Sequence, residues 1–160
     1  MKISTKSQYG LRAMVYLAKV FKKGKVFSLR EIAKKEGISF DYLEKIISKL
    51  EKAGLVKSKK GVQGGYFLAR LPQKIRIGDI VRVLEGEMAL VKCIAKKVEY
   101  SCPRERKCLT KSFWKKIQDS LNSVLNSLTL ADLINPAGKS FHIGTSGELR
   151  DKSASYGARK

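Results

Sequence analysis

Between residues 28 and 68 the spacing of apolar side chains changes twice, and the order of those changes predicts an architecture. Leu29, Ile32 and Ala33 set one apolar stripe on a short helix that Ser28 and Glu31 open as a capping box. Gly37 breaks that helix and Ser39 caps the next, where Leu43, Ile46, Ile47 and Leu50 recur at i, i+3, i+4 and i+7 and bury one face. The opposite face is polar, with Asp41, Tyr42, Glu44, Lys45, Lys49 and Lys52, and Gly54 supplies the stop. Residues 55–57 and 66–69 then read as two strands around the basic, glycine-tipped run KKGVQGG at 59–65. A helix, a tight turn, a polar-faced second helix and a basic hairpin form a winged helix-turn-helix, whose second helix enters the DNA major groove with the wing beside it. The expected fold is mainly α with a small β wing, a winged helix-turn-helix followed by a long dimerisation helix.

The flanks extend this pattern. Leu11, Met14, Val15, Ala18 and Phe21 predict an entry helix over 5–22, with Lys6, Arg12 and Lys19 on its polar side and the run KKGK at 22–25 closing it. Pro72 ends the second strand. Ile77, Ile80, Val81 and Leu84 predict a short helix stopped at Gly86. Residues 88–109 have no clear period. From about 110 to 128, Trp114, Ile117, Leu121, Val124 and Leu128 alternate steps of three and four, the a/d seam of a coiled coil, widened by Phe113 and Leu125. Such a seam packs either on its own domain or on a second copy. A small winged-helix core has little spare surface for so long a stripe, so a homodimer reading a two-fold operator is expected. The anticipated division is 1–86 for DNA binding, 87–109 for a cysteine loop, 110–135 for dimerisation and 136–160 for a flexible basic tail rich in Gly, Ser and Lys.

Charge sharpens the picture. The chain has 34 Lys and Arg against 14 Asp and Glu, a formal net charge of +20. Residues 1–70 hold 17 basic and 5 acidic side chains, so the excess sits in the proposed reader. That imbalance favours a polyanion, most simply double-stranded DNA, through counterion release. The expected DNA-facing set is Ser28, Ser39, Asp41, Tyr42, Glu44, Lys45, Lys49, Lys59, Lys60, Gly61 and Gly64. No run approaches the length of a spanning helix, and MKISTKSQYG lacks the apolar core of a signal peptide, so no membrane partner and a cytoplasmic location are expected. No carboxylate pair, phosphate loop or Ser/His/Asp set suggests an enzyme. The run GVQGGY lies in a hairpin without the strand-then-helix context of a nucleotide loop.

Cys93, Cys102 and Cys108 fall within sixteen residues of the irregular segment, amid Lys92, Lys96, Lys97, Arg104, Arg106 and Lys107. Those cations favour thiolate, the metal-binding and redox-reactive form. The spacing misses the two-residue gaps of zinc ribbons and bacterial ferredoxins. Taken alone, the trio suits a metal or cluster site or a thiol switch.

Several runs together carry a resemblance: MKISTKSQYGLRAM, GISFDYLEKIISKLEKAGLVKSKKG, QGGYFLA, IRIGDIVRVLEGE, KCLTKSFW and SLTLADLIN. From Met1 to about Asn135 the chain resembles the IscR/NsrR-type winged-helix regulators, dimeric proteins that sense iron–sulfur status, nitric oxide or redox stress. The resemblance implies a 2Fe-2S or 4Fe-4S iron–sulfur cluster held by Cys93, Cys102 and Cys108, base-facing roles for Glu44 and Lys45, and a minor-groove role for Lys60. Two departures stand out. Where IscR-like relatives can place a ligating histidine, this chain has Lys111; where nitric-oxide-sensing relatives use an N-terminal aspartate, it has Ser7 and Gln8. The first cysteine gap is also longer than in the best-known members. The fourth ligand stays open among Glu99, Glu105, a small molecule and His142. The alternative is a zinc-binding or thiol-redox regulator on the same scaffold.

Overall fold

The computed structural model describes residues 3–21, 25–95 and 102–135. Helix α1 (Thr5–Lys19) precedes α2 (Leu29–Glu36) and α3 (Phe40–Lys52), then strands β1 (Val56–Lys59) and β2 (Gly65–Leu68), and helices α4 (Ile77–Glu85), α5 (Lys111–Ser127) and α6 (Leu130–Ile134). The winged helix-turn-helix is present as the sequence pattern requires. Ser39 Oγ accepts from Tyr42 N, and Gly37 closes α2 at φ +63°. At the end of α3, Gly54 takes φ +69°, Gly54 N donates to Glu51 O and Leu55 N to Leu50 O, the paired bonds of a Schellman stop. Leu43, Ile46, Ile47 and Leu50 are fully buried, as are Ile32 of α2 and Ile80 of α4.

Four local expectations are corrected. The entry helix ends at Lys19, and its buried face is Ser7, Gly10, Ala13, Met14, Leu17 and Ala18, while Leu11 and Val15 are only partly covered. The cause is Gly10: a Cβ there would lie 2.2 Å from Leu84 Cδ1 and 3.1 Å from Ile46 Cγ2, so α1, α3 and α4 meet where a side chain is absent. At α2, Ser28 Oγ accepts from Glu31 N, but the Glu31 carboxylate accepts from the Tyr16 hydroxyl at 3.2 Å, tying α2 to α1. The strands shift slightly, pairing Val56 with Leu68 through Lys59 with Gly65 in antiparallel register. Phe27 makes a single antiparallel bridge to Tyr66, exchanging backbone bonds at 3.0 and 2.8 Å. A Cβ on Gly65 would meet Phe27 O at 2.5 Å, so glycine admits that close approach.

The segment 110–135 is two helices. The chain turns extended at Leu128, and Thr129 and Asp132 form a full capping box that starts α6. Ile77 N donates to Leu128 O and Leu130 N to Ile75 O, and Leu130 is fully buried in the reader core. Helix α5 itself buries no residue. It rests on α4, where Arg82 Nη2 donates to Asn126 Oδ1 at 2.8 Å and to Asp79 Oδ1 at 2.9 Å. Residues 22–24 and the tail 136–160 lie outside the described residues.

Candidate nucleic-acid interface and cysteine loop

Helix α3 presents Asp41, Glu44, Lys45, Lys49 and Lys52 to solvent because its apolar stripe is committed to the core. Tyr42 is half-buried instead, edge-on to Tyr9 with ring centres 6.0 Å apart. Arg12 lies over the Tyr9 ring at 5.5 Å and pairs with Glu36 at 3.1 Å, bracing the turn between α2 and α3. Lys6, Tyr42, Lys45, Lys49, Glu51 and Tyr66 border one open groove along the helix. Lys6 and Tyr66 were missing from the sequence set. The periodicity assigned each to its own element, and only the packing brings both beside α3. Partial burial pushes the Tyr66 phenol above its ordinary pKa, reinforced by the nearby Glu51 and Glu44 carboxylates. Ser58 of β1 donates to Glu51, joining α3 to the wing.

The wing is an exposed basic hairpin. Lys57, Lys59, Lys60, Gly61, Val62 and Gln63 are all exposed. Gly64 N donates to Gly61 O at 2.8 Å, and Gly61 has φ +114°, a conformation that glycine adopts freely. A Cβ on Gly64 would lie 2.2 Å from Lys59 O. Gly61 and Gly64 therefore shape the tip, while Lys59 and Lys60 supply its charge. Ser28 and Ser39 stand exposed at the heads of α2 and α3, each with its hydroxyl already accepting a capping bond.

The described parts of the cysteine loop flank the head of α5. Cys93 sits in a single 3₁₀ turn at Lys92–Ile94, Cys102 leads into a second turn at Glu105–Lys107, and Cys108 follows it. All three thiols are partly buried. Lys111, at the head of α5, pairs with the Glu105 carboxylate; that bond chiefly raises its pKa, and the charges of Cys93 and Cys102 add to the effect. Cys108 Sγ lies 3.5 Å from Thr110 Oγ1. Thr110, through its hydroxyl and then its backbone N–H, lowers the Cys108 pKa, with smaller help from the Lys111 N–H and charge. Leu90 N donates to Gln118 Oε1 at 2.9 Å, fastening the start of the loop to α5. Lys111 is thus held by Glu105 beside Cys108, with Cys93 and Cys102 within reach of its charge, and three thiols suit an iron–sulfur centre in donor chemistry. Among the described residues no three His, Cys, Asp or Glu stand close enough to hold a metal ion as arranged. Lys92, Arg104 and Lys107 are exposed around the trio; Lys96, Lys97, Glu99, His142 and the Arg106 side chain lie outside the described residues.

Along α5 the seam is uncovered. Trp114, Leu121, Val124 and Leu128 are half-buried, Ile117 is 38 % exposed and Phe113 56 %. Leu109, just before the helix, is 92 % exposed. No described helix is long and apolar enough to cross a membrane.

Residues 3–136 match the Rrf2 family, described as an iron-dependent transcriptional regulator. The chain is 34 % identical over 135 residues to the HTH-type transcriptional regulator IscR of Escherichia coli, covering 84 % of this chain and 81 % of that protein. Its fold matches the structure of T. potens IscR with TM-score 0.67 and 46 % identity, over 86 % of this chain and 88 % of the other. It also matches CymR, titled the global cysteine regulator of B. subtilis, with TM-score 0.68 and 43 % identity over 85 % and 98 % of the two chains.

Proposed function

Since the chain belongs to the Rrf2 family of transcriptional regulators, we propose that it reads duplex DNA as a cytoplasmic homodimer, and that Cys93, Cys102 and Cys108 hold an iron–sulfur cluster whose presence sets operator affinity. The observation that carries this reading is the placement of all three cysteines, each partly buried, in the irregular segment that leads into α5. Binding them jointly requires the loop to draw in around the metal. When bound, the cluster supplies a link between thiolates that oxygen or nitric oxide can destroy. The chain's own residues supply the rest. Lys111 and the first N–H groups of α5 favour thiolate, and α5 carries any shift at its head to Asn126, which holds Arg82 of α4. The reader packed on α4 responds as a two-state element biased by one ligand.

In this reading Glu44 and Lys45 meet base edges, and Lys59 and Lys60 of the wing meet the duplex beside them. The open seam of α5 supports a second copy as its cover, since soluble monomers rarely leave so long an apolar stripe in water. A second reading has its own support. Cys108 against Thr110 and Lys111 is a thiol poised for oxidation without any metal, and the described residues are not gathered tightly enough for a metal as they stand.

Iron and acid-labile sulfide, counted in protein purified without oxygen, separate the two readings. The cluster reading expects both in the wild type and neither in Cys102→Ala, because two thiolates are too few to retain a stable centre. Zinc, or no metal at all, in the anaerobic wild type gives the site to the thiol switch.

A further inference from the structure

The first residue of α3 is a phenylalanine, and Phe40 is 39 % exposed. The ring stands outside the core cluster, with over a third of its surface in water at the opening of α3. Above it, 5.5 Å from the ring centre, lies the guanidinium of Arg30, an exposed residue in the first turn of α2. The other stacked cations are accounted for within the fold. Arg12, over Tyr9, is paired with Glu36; Lys25 lies over Phe27, a ring buried in the core. Arg30 differs, because no carboxylate among the described residues pairs with it. Stacking on a flat ring fixes the guanidinium plane and leaves its edge N–H groups free, which prepares a planar fork for an anion. Position supplies the identity of that anion. In a helix-turn-helix the first helix crosses the phosphate backbone while the second enters the groove, and Arg30 projects from the first onto the opening residue of the second.

We propose that the Arg30–Phe40 pair is a phosphodiester clamp: Phe40 holds the guanidinium in place, and Arg30 grips one DNA backbone phosphate as α3 enters the major groove. The inference rests on α3 being the DNA-reading helix. Arg30 is then a contact residue for phosphate, and Phe40 a positioning residue acting through it. A phosphate contact carries no sequence information, so its loss weakens every duplex alike.

The test uses two fluorescent duplexes, one of arbitrary mixed sequence and one selected by the wild-type protein from a randomised pool, each titrated over a range of salt. For Arg30→Ala, the plot of log affinity against log salt should be shallower by about 0.9 for each protomer seated on the duplex, with binding roughly eightfold weaker per protomer near ~0.1 M salt, on both probes. Arg30→Lys should keep the wild-type slope with lower affinity, since an ammonium keeps the charge but loses the stacked fork. Phe40→Leu should also keep the slope while weakening binding less than Arg30→Ala does. A wild-type slope and affinity for Arg30→Ala on both probes would overturn the clamp. So would a loss confined to the selected duplex, which would make Arg30 a base reader. Wild-type protein that enriches no duplex from the pool and does not bind the mixed-sequence one would instead sink the DNA reading beneath it.

Discussion

Glu85 ends α4 and closes onto the start of α1, eighty-one positions away. Its Oε1 accepts from Ser4 N at 2.8 Å and from Ser4 Oγ at 2.7 Å. The Ser7 hydroxyl is buried and makes no bond of standard geometry among the described residues, yet it lies near enough to the same carboxylate to help hold it ionised. These hydroxyls, then the Ser4 N–H and the Lys6 charge, pull the Glu85 pKa below the usual carboxylate range. A lowered carboxylate pKa adds stability that is present above the ordinary value and lost as pH falls through the lowered one. Glu85→Gln should therefore cost about 0.5–1 kcal/mol at neutral pH, a modest figure because solvent screens a half-exposed group. The gap should close once wild-type Glu85 is protonated, as denaturant melts across an acid pH series will record; a gap independent of pH would contradict the latch. Residue-scale chemistry was legible where it is local. Ser39, Gly37 and Gly54 announce caps and stops from their immediate neighbours. The Glu85 latch and the Lys111–Glu105 pair were not legible, because each joins residues whose proximity only the packing of α1 on α4, or the turn before α5, creates.

Helices were readable in proportion to the strength of their apolar period. Strong stripes placed α3 and α4 to within a residue or two, and large side chains dominated both. The buried face of α1 was misjudged because its deciding residues are small: Gly10 and Ala13 let α4 approach, and no hydrophobic pattern weights them. Helix α6 escaped because five residues are too few for a period. Its signal was the pair Thr129 and Asp132, a capping box written openly in the sequence. Helix α5 was legible in extent, and its uncovered stripe sets the element-scale prediction. Leu121→Asp places a charge on the surface proposed to join two copies, costing several kcal/mol if it is buried unpaired there. Sedimentation should find the variant monomeric and folded, with operator binding lost. A variant that stays dimeric would move the interface elsewhere.

At the scale of the molecule, the proposed regulation requires two parts of one chain to communicate. The reader is compact and strongly basic, and its fold and polyanion preference follow from period and charge alone. The cysteine loop has neither period nor core, so its sequence indicates its chemistry but not its closed form. Between them runs a chain of contacts: Cys108 beside Thr110 and Glu105 paired with Lys111 at the head of α5, then α5, the Arg82–Asn126 bond to α4, and Leu84 beside Gly10 of α1. In the proposed regulator the state of the three cysteines sets DNA affinity through this path. The most direct measurement is the affinity of anaerobic wild-type protein for its selected duplex, before and after nitric oxide treatment, beside Cys102→Ala. Treatment should shift wild-type affinity to that of Cys102→Ala, which itself does not respond. Identical affinities for all three samples, in wild-type protein that carries iron and sulfide, would contradict it.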